Sequence, residues 1–174
     1  MKMNIRQLFD GIGEKREFAQ TFDYTGEELY GGYPFQSPVE CSGKIENRAG
    51  VVRLVFCVKF SLDLVCDRCL EPFTREENLT FSHILVQKLE SEEEDEDYIL
   101  CPGGELDLDE LVRTDVLLEL PTKVLCREDC KGLCGQCGQN LNFGSCKCEK
   151  KEIDPRLAVL SQLLDSMKED SEES

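Results

Sequence analysis

Six of the eleven cysteines lie within one short stretch, CREDCKGLCGQCGQNLNFGSCKC, at residues 126–148. This stretch has too few apolar residues to bury a core of its own, so a cross-link must hold it. At its centre, CGQCG places Cys134 and Cys137 two residues apart, a spacing that lets both sulfurs reach one metal ion. The glycines permit the positive φ that such a turn needs. The sequence therefore predicts a metal-binding module over residues 122–153.

The ligands of this module are predicted to be thiolates only. A tetrahedral site made of four sulfurs is typical of zinc or of iron–sulfur chemistry. We predict Zn²⁺, because the stretch has no spare ligand in an evident redox setting. The predicted ligands are Cys130, Cys134, Cys137 and Cys148, with Cys126 and Cys146 as alternates. A site closed in this way is structural and carries out no hydrolysis.

A second cysteine pair, Cys66 and Cys69, lies in CDRCLEPF. It could be a redox pair, half of a second metal site, or a turn with buried thiols. The redox motif needs a helix directly after a strand, whereas strand-like sequence flanks this pair on both sides. Arg68 and Glu71 could instead form a recognition surface with it. We expect His83, the single histidine, to be a packed or surface residue rather than a ligand.

The segment before this module predicts an α+β fold with an antiparallel sheet core and a few helices. Apolar and polar residues alternate at 39–46, and β-branched and aromatic residues dominate 51–66, so both favour strands. Residues 74–89 predict a third strand, and 47–50 a turn between the first two. Residues 105–120 have helical spacing, with Asp107 as the N-cap and Pro121 beyond the end.

The predicted domain organisation has four parts. They are a sheet-rich core at 1–121 with an acidic loop at 90–97, the cysteine module at 122–153, a helix at 154–168 and a disordered tail at 169–174. We found no catalytic constellation, so the chain is predicted not to be an enzyme. No apolar run is long enough to span a bilayer, and the N-terminus does not resemble a signal peptide, which predicts a cytoplasmic protein without a membrane partner.

The net charge of −16 is unevenly distributed. Residues 1–88 carry 11 Lys/Arg against 13 Asp/Glu, whereas residues 89–174 carry 9 against 23. A half this acidic repels phosphate backbones and attracts basic proteins, which include ribosomal proteins. Charge thus favours a protein partner over direct RNA binding, and the alternative interpretation of the same charge is that it only keeps the protein soluble.

Three motifs in this order give the chain a resemblance to a known family. They are CDRCLEPF, DLDELVRTDVLLELP, and CKGLCGQCGQNLNFGSCKC followed by DPRLAVLSQLL. Together they resemble the YceD family, the large ribosomal RNA subunit accumulation proteins of bacteria and plastids, over roughly residues 40–165. The resemblance implies a cytoplasmic, non-enzymatic factor needed for normal levels of large-subunit (23S) rRNA. Some family members lack the C-terminal cysteines yet keep the first pair, which implies a shared functional surface around Cys66, Arg68, Cys69, Leu70, Glu71 and Pro72.

Three hypotheses of function follow. In the first, the acidic half holds a basic ribosomal protein or a large-subunit precursor during rRNA accumulation and processing, and contact with rRNA is indirect. In the second, the zinc module binds RNA directly through Lys147, Lys150 and Lys151. In the third, Cys66 and Cys69 form a thiol oxidoreductase. No small-molecule substrate is predicted.

Overall fold

The computed structural model describes residues 2–88 and 98–148. The acidic run at 90–97, the predicted helix at 154–168 and the tail at 169–174 lie outside the described residues. Lys150 and Lys151 of the proposed basic cluster also lie outside them. Within the described parts of the chain, no helix is both long and apolar enough to cross a membrane.

A five-stranded sheet forms the body of the protein, in the order β2-β3-β4-β5-β6. Its pairs are antiparallel except for β5 with β6, which run parallel. A separate antiparallel pair joins β1 to β7. The elements in chain order are β1 (Lys2–Asn4), α1 (Arg6–Asp10), β2 (Lys15–Phe22), β3 (Val39–Arg48), β4 (Val51–Val65), β5 (Pro72–Val86), β6 (Tyr98–Leu100), a 3-10 turn (Pro102–Gly104), β7 (Glu105–Asp107) and α2 (Leu108–Glu119). The predicted α+β class is confirmed.

The long strand β4 supplies the centre of the core because its sequence alternates. Every second side chain from Val52 to Leu64 is buried on one face. Each apolar side chain buried in this way contributes roughly 1.5–3 kcal/mol. The buried side of α2, which includes Leu108 and Val112, belongs to the same hydrophobic cluster. The three strands predicted from residues 39–89 and the helix after Asp107 are therefore confirmed.

The predicted N-cap of α2 is confirmed, whereas one leucine of α2 and the strand β2 differ from the sequence analysis. The Asp107 carboxylate accepts a hydrogen bond from the Glu110 N–H, as the predicted N-cap requires. The helical spacing of residues 105–120 predicts that Leu118 lies in the apolar stripe of the helix, but it is 80% exposed. Residues 15–22 form the edge strand β2, which the sequence analysis did not predict. Its exposure alternates from Glu17 to Phe22, but the sequence hides this pattern, because the polar Gln20 lies on the less exposed side and the apolar Ala19 on the exposed side.

The chain divides into two compact units, Met1–Cys130 and Lys131–Ser174. The sequence predicts the corresponding boundary between residues 121 and 122. The difference arises because backbone and side-chain hydrogen bonds join the 122–130 segment to the end of β4, as described below.

The turn between β3 and β4 depends on one buried polar side chain. Asn47 is 1% exposed, and its amide donates to the Leu8 carbonyl at 2.7 Å and accepts from the Gly50 N–H at 3.0 Å. Ala49 and Gly50 both have positive φ, the conformation of a two-residue hairpin turn whose twist matches the strands. The predicted turn at 47–50 is confirmed, and Asn47 fixes α1 to it.

We expect Asn47→Ala to lower the free energy of unfolding by about 2 kcal/mol, because the buried Leu8 carbonyl loses its donor. Urea denaturation followed by circular dichroism measures the change. Gln36→Ala is the control, since the Gln36 amide also bonds a backbone carbonyl but is exposed. Equal stability of the two variants would show that the buried amide contributes nothing specific.

Candidate metal centres

The first cysteine pair lies in a tight turn between β4 and β5. The Cys66 N–H donates to the Glu71 carbonyl at 3.0 Å, and the Leu70 N–H donates back to the Cys66 carbonyl at 2.9 Å. These two bonds reverse the chain within the motif CDRCLE. Cys66 and Cys69 are 0% and 3% exposed.

The second module contains the same turn at CGQCGQ. The Cys134 N–H donates to the Gln139 carbonyl at 2.8 Å, and the Gly138 N–H donates to the Cys134 carbonyl at 2.9 Å. The residue after the second cysteine has positive φ in both turns, 58° at Leu70 and 73° at Gly138. This conformation costs a non-glycine residue roughly 1–2 kcal/mol. Leu70 pays this cost although its side chain is 63% exposed.

Hydrogen bonds bring a distant segment, residues 124–130, against the first turn. The Asp67 N–H donates to the Val124 carbonyl at 2.8 Å, and the Asp67 carboxylate accepts from the Val124 N–H at 2.7 Å. The Arg68 guanidinium donates to the Cys130 carbonyl at 2.9 Å and to the Glu128 carbonyl at 3.3 Å. The two residues between the first cysteines therefore position the segment that carries the next two.

Four sulfurs converge as a result, and we call them the core cluster: Cys66, Cys69, Cys126 and Cys130. The Cys66 and Cys130 sulfurs are 3.8 Å apart, and those of Cys69 and Cys126 are 3.7 Å apart. All four lie within 4.8 Å of one another. A tetrahedral ion with Zn–S bonds of about 2.3 Å separates its sulfurs by about 3.8 Å. The spacing of the core cluster fits such an ion.

A second group of sulfurs, the module cluster, consists of Cys134, Cys137, Cys146 and Cys148. These four also lie within 4.8 Å of one another, with Cys146 and Cys134 at 3.4 Å. Two hydrogen bonds close the loop around these sulfurs. The Leu141 N–H donates to the Gly132 carbonyl, and the Lys131 N–H donates to the side-chain oxygen of Asn142. The module cluster is more exposed than the core cluster, in which three of the four cysteines are buried.

The structure does not bring together the four ligands predicted from sequence. Cys134, Cys137 and Cys148 lie together, but Cys130 lies with the first pair. The alternates divide between the clusters, with Cys126 in the core cluster and Cys146 in the module cluster. The reason is the Arg68 and Asp67 contacts, which hold residues 124–130 beside the sheet. Cys66 and Cys69 thus occupy half of a four-sulfur group, as the hypothesis of a second metal half-site requires.

The core cluster favours ionisation of one thiol. Burial alone would raise the pKa of Cys66, but N–H groups of Cys126, Cys69 and Arg68 donate to its sulfur and lower the pKa to about 6. Burial raises the pKa of Cys126 to about 12. The lowered pKa of Cys66 and the raised pKa of Cys126 make Cys66 the easier of these two thiols to ionise.

The module cluster follows the same pattern. N–H groups of Cys137 and Gln136 donate to the Cys134 sulfur and lower its pKa to about 6. Hydrogen bonding with Cys137, with a smaller effect of burial, raises the pKa of Cys148 to about 12. In both clusters the first cysteine of the turn has a lowered pKa, which favours the thiolate, the form that binds metals.

The other candidate residues lie outside both clusters. His83 contacts the Asp115 carboxylate at 2.7 Å and stacks near the Phe56 ring, so it is packed as predicted. Cys41 and Cys101 are buried, and burial raises their pKa values to about 12 and 11. They are core thiols that resist ionisation.

Each cluster offers four protein ligands, which leaves no open coordination position for a substrate or a catalytic water. Such a centre cross-links the chain and holds its surroundings rigid. Both clusters could hold a metal ion in this way.

Comparison with known proteins places the chain among relatives. The family model described as "Large ribosomal RNA subunit accumulation protein YceD" matches residues 54–164, which include all eight cysteines of the two clusters. The protein YlbN of Bacillus subtilis is 27% identical, over 94% of this chain and 96% of its own length. The chloroplastic large ribosomal RNA subunit accumulation protein YCED homolog 1 of Arabidopsis thaliana is 26% identical, over 97% of this chain and 61% of its own length.

The homolog of the same name in Zea mays is 27% identical over 76% of this chain and 54% of its own length. No solved structure matches the chain. The family model covers well over half of the residues, in the order of motifs that the sequence displays. The chain therefore belongs to the YceD family of large ribosomal RNA subunit accumulation proteins.

Proposed function

We propose that this protein is a non-enzymatic, cytoplasmic ribosome-biogenesis factor required for the accumulation and processing of 23S rRNA. The observation that carries the proposal is the match of the YceD family model across both cysteine clusters. Two plant relatives are named as large ribosomal RNA subunit accumulation proteins. An odd count of eleven cysteines suits metal ligands and free thiols, which are usual in a reducing compartment, better than a disulfide framework.

Zn²⁺ is the proposed ion of both clusters. Four thiolates in tetrahedral spacing suit zinc, which has no redox chemistry of its own. The bound ion would supply a cross-link. The other contributions come from the chain itself. Backbone N–H groups stabilise the thiolates, and Asp67 and Arg68 orient the segment that places Cys126 and Cys130 beside Cys66 and Cys69.

A basic ribosomal protein, or the large-subunit precursor that contains it, is the proposed partner. The net charge of −16 attracts a cationic protein and raises its association rate at low salt. Contact with rRNA would then be indirect, through that protein.

Direct RNA binding by the cysteine module is the second candidate, and one observation favours it. Phe143 is 82% exposed in a stretch, residues 131–148, that contains Lys131 and Lys147 but no Asp or Glu. Exposed aromatic rings near lysines stack on unpaired bases. A thiol oxidoreductase is less well supported, because Cys66 is 0% exposed and the turn is followed by a strand rather than a helix.

Deletion of the gene is expected to lower the ratio of mature 23S to 16S rRNA, and the wild-type gene to restore it. Quantitative Northern analysis with probes for mature and precursor 23S rRNA measures the ratio. Normal 23S rRNA in the deletion strain at every growth temperature would contradict the proposed function.

Native mass spectrometry is expected to find two zinc ions per wild-type chain. Cys130→Ser should leave one ion and destabilise the sheet unit, since a cross-link that closes a 57-residue loop contributes about 4 kcal/mol. Cys146→Ser should also leave one ion but preserve the stability of the sheet unit. Cys57→Ser, outside both clusters, should keep both ions.

These variants also distinguish the observed clusters from the ligand set predicted from sequence. If Cys130→Ser removed the ion bound by Cys134 and Cys137 and left the sheet unit unchanged, the convergence of Cys130 with Cys66 would be refuted.

Arg68→Ala is expected to speed the loss of one zinc ion to a chelator several-fold, because residues 126–130 lose the guanidinium that holds two of their carbonyls. Release of zinc to a chromogenic chelator gives the rate. Arg48→Ala is the control, since this exposed guanidinium forms an ion pair with Glu46 at the β3–β4 hairpin and belongs to neither cluster. Identical release from both variants would show that the Arg68 contacts do not hold the cluster.

A further inference from the structure

An open cleft of about 310 Å³ lies beside the first cysteine turn. Its lining includes Tyr30, Tyr33, Val65 and Leu70, whose exposed fractions are 48%, 59%, 56% and 63%. Nine large apolar or aromatic residues are exposed in the described parts of the chain, and four of them line this one cleft. Exposed apolar residues concentrated in this way mark interaction sites.

Backbone conformation singles out the same cleft. Three non-glycine residues of the described chain have φ in the left-handed region: Tyr30, Ala49 and Leu70. Ala49 forms the β3–β4 turn, and the other two line the cleft. Gly138 takes the position of Leu70 in the second cysteine turn, so the turn itself does not require a leucine. Strained residues of this kind cluster at ligand-contacting sites.

The charge of the lining indicates what the cleft accepts. Asp63 and Asp67 contribute carboxylates, and no lysine or arginine belongs to the lining. Cys66 also lines the cleft, and a divalent ion bound by four thiolates leaves two net negative charges there. This wall repels phosphates and attracts Lys or Arg side chains.

We propose that the cleft binds an extended segment of a basic protein, which packs an aliphatic or aromatic side chain against Leu70 and Tyr33 and places a Lys or Arg beside Asp63 and Asp67. The proposal rests on the proposed function in one respect, namely that the partner is a basic ribosomal protein. It assigns Leu70 to recognition and the cysteine turn to holding that side chain in place.

The test uses the zinc-loaded full chain and an array of short synthetic peptides that tile the large-subunit ribosomal proteins. Wild-type protein is expected to bind peptides that combine Lys or Arg with an apolar residue, and to bind them more weakly as salt rises. Leu70→Asn should weaken binding about tenfold or more. Asparagine tolerates positive φ, so this variant should keep both zinc ions and the melting temperature.

Leu118→Ala is the matched control, because Leu118 is an exposed leucine on α2 outside the cleft lining and should leave binding unchanged. The proposal is overturned if no tiled peptide binds the wild-type chain, or if Leu70→Asn binds like the wild type. A second binding measurement uses a fluorescent single-stranded RNA in place of the peptides. Binding of that RNA that depends on Leu70 would assign the cleft to nucleic acid and would equally overturn the proposal.

Failure of this inference can be separated from failure of the proposed function. In the deletion strain, the Leu70→Asn gene should restore 23S rRNA less than the wild-type gene does. Full restoration by Leu70→Asn, together with a clear defect in the deletion strain, would remove the cleft proposal and leave the function standing.

Discussion

The structure depends on four sulfurs that come from two segments far apart in the chain. Cys69 and Cys126 are separated by 57 residues and Cys66 and Cys130 by 64, yet their sulfurs approach to 3.7 and 3.8 Å. Closing a loop of this length costs conformational entropy. The hydrogen bonds of Asp67 and Arg68 to residues 124–130 offset part of this cost. An ion bound by these four ligands would fasten the last residues of the sheet unit to the turn at the end of β4.

The two cysteine turns share one geometry but differ in surroundings. The first is buried at the end of the longest strands, where Asp67 and Arg68 bond the neighbouring segment. The second lies in the other unit, whose described residues, 131–148, include no buried hydrophobic side chain and form a closed loop. The leucine at the strained position of the first turn, where the second has glycine, gives that turn an exposed side chain beside a cleft. A structural centre can in this way also present a binding surface.

Local patterns predicted the parts of the fold that depend on local physics. Alternation in β3 and β4, the turn at Asn47 and the N-cap at Asp107 are all readable within a few residues. The edge strand β2 was not predicted, because Gln20 on its less exposed side and Ala19 on its exposed side interrupt the alternation of apolar and polar residues. The sequence predicts that Cys130 binds the same ion as Cys134, which follows it closely in the chain. The hydrogen bonds of Arg68 instead place Cys130 beside Cys66. The spacing of cysteines along the sequence does not reveal contacts between residues more than 50 positions apart. Asp67 and Arg68, between the first two cysteines, were the one signal that this turn has polar partners.

The grouping of the cysteines can be measured directly by correlation NMR on protein loaded with ¹¹³Cd, which substitutes for zinc and couples to the β-protons of its cysteine ligands. The account predicts two cadmium signals. One should correlate with Cys66, Cys69, Cys126 and Cys130, and the other with Cys134, Cys137, Cys146 and Cys148. A signal that joins Cys130 to Cys134 and Cys137, or the absence of any correlation to Cys66 and Cys69, would contradict it.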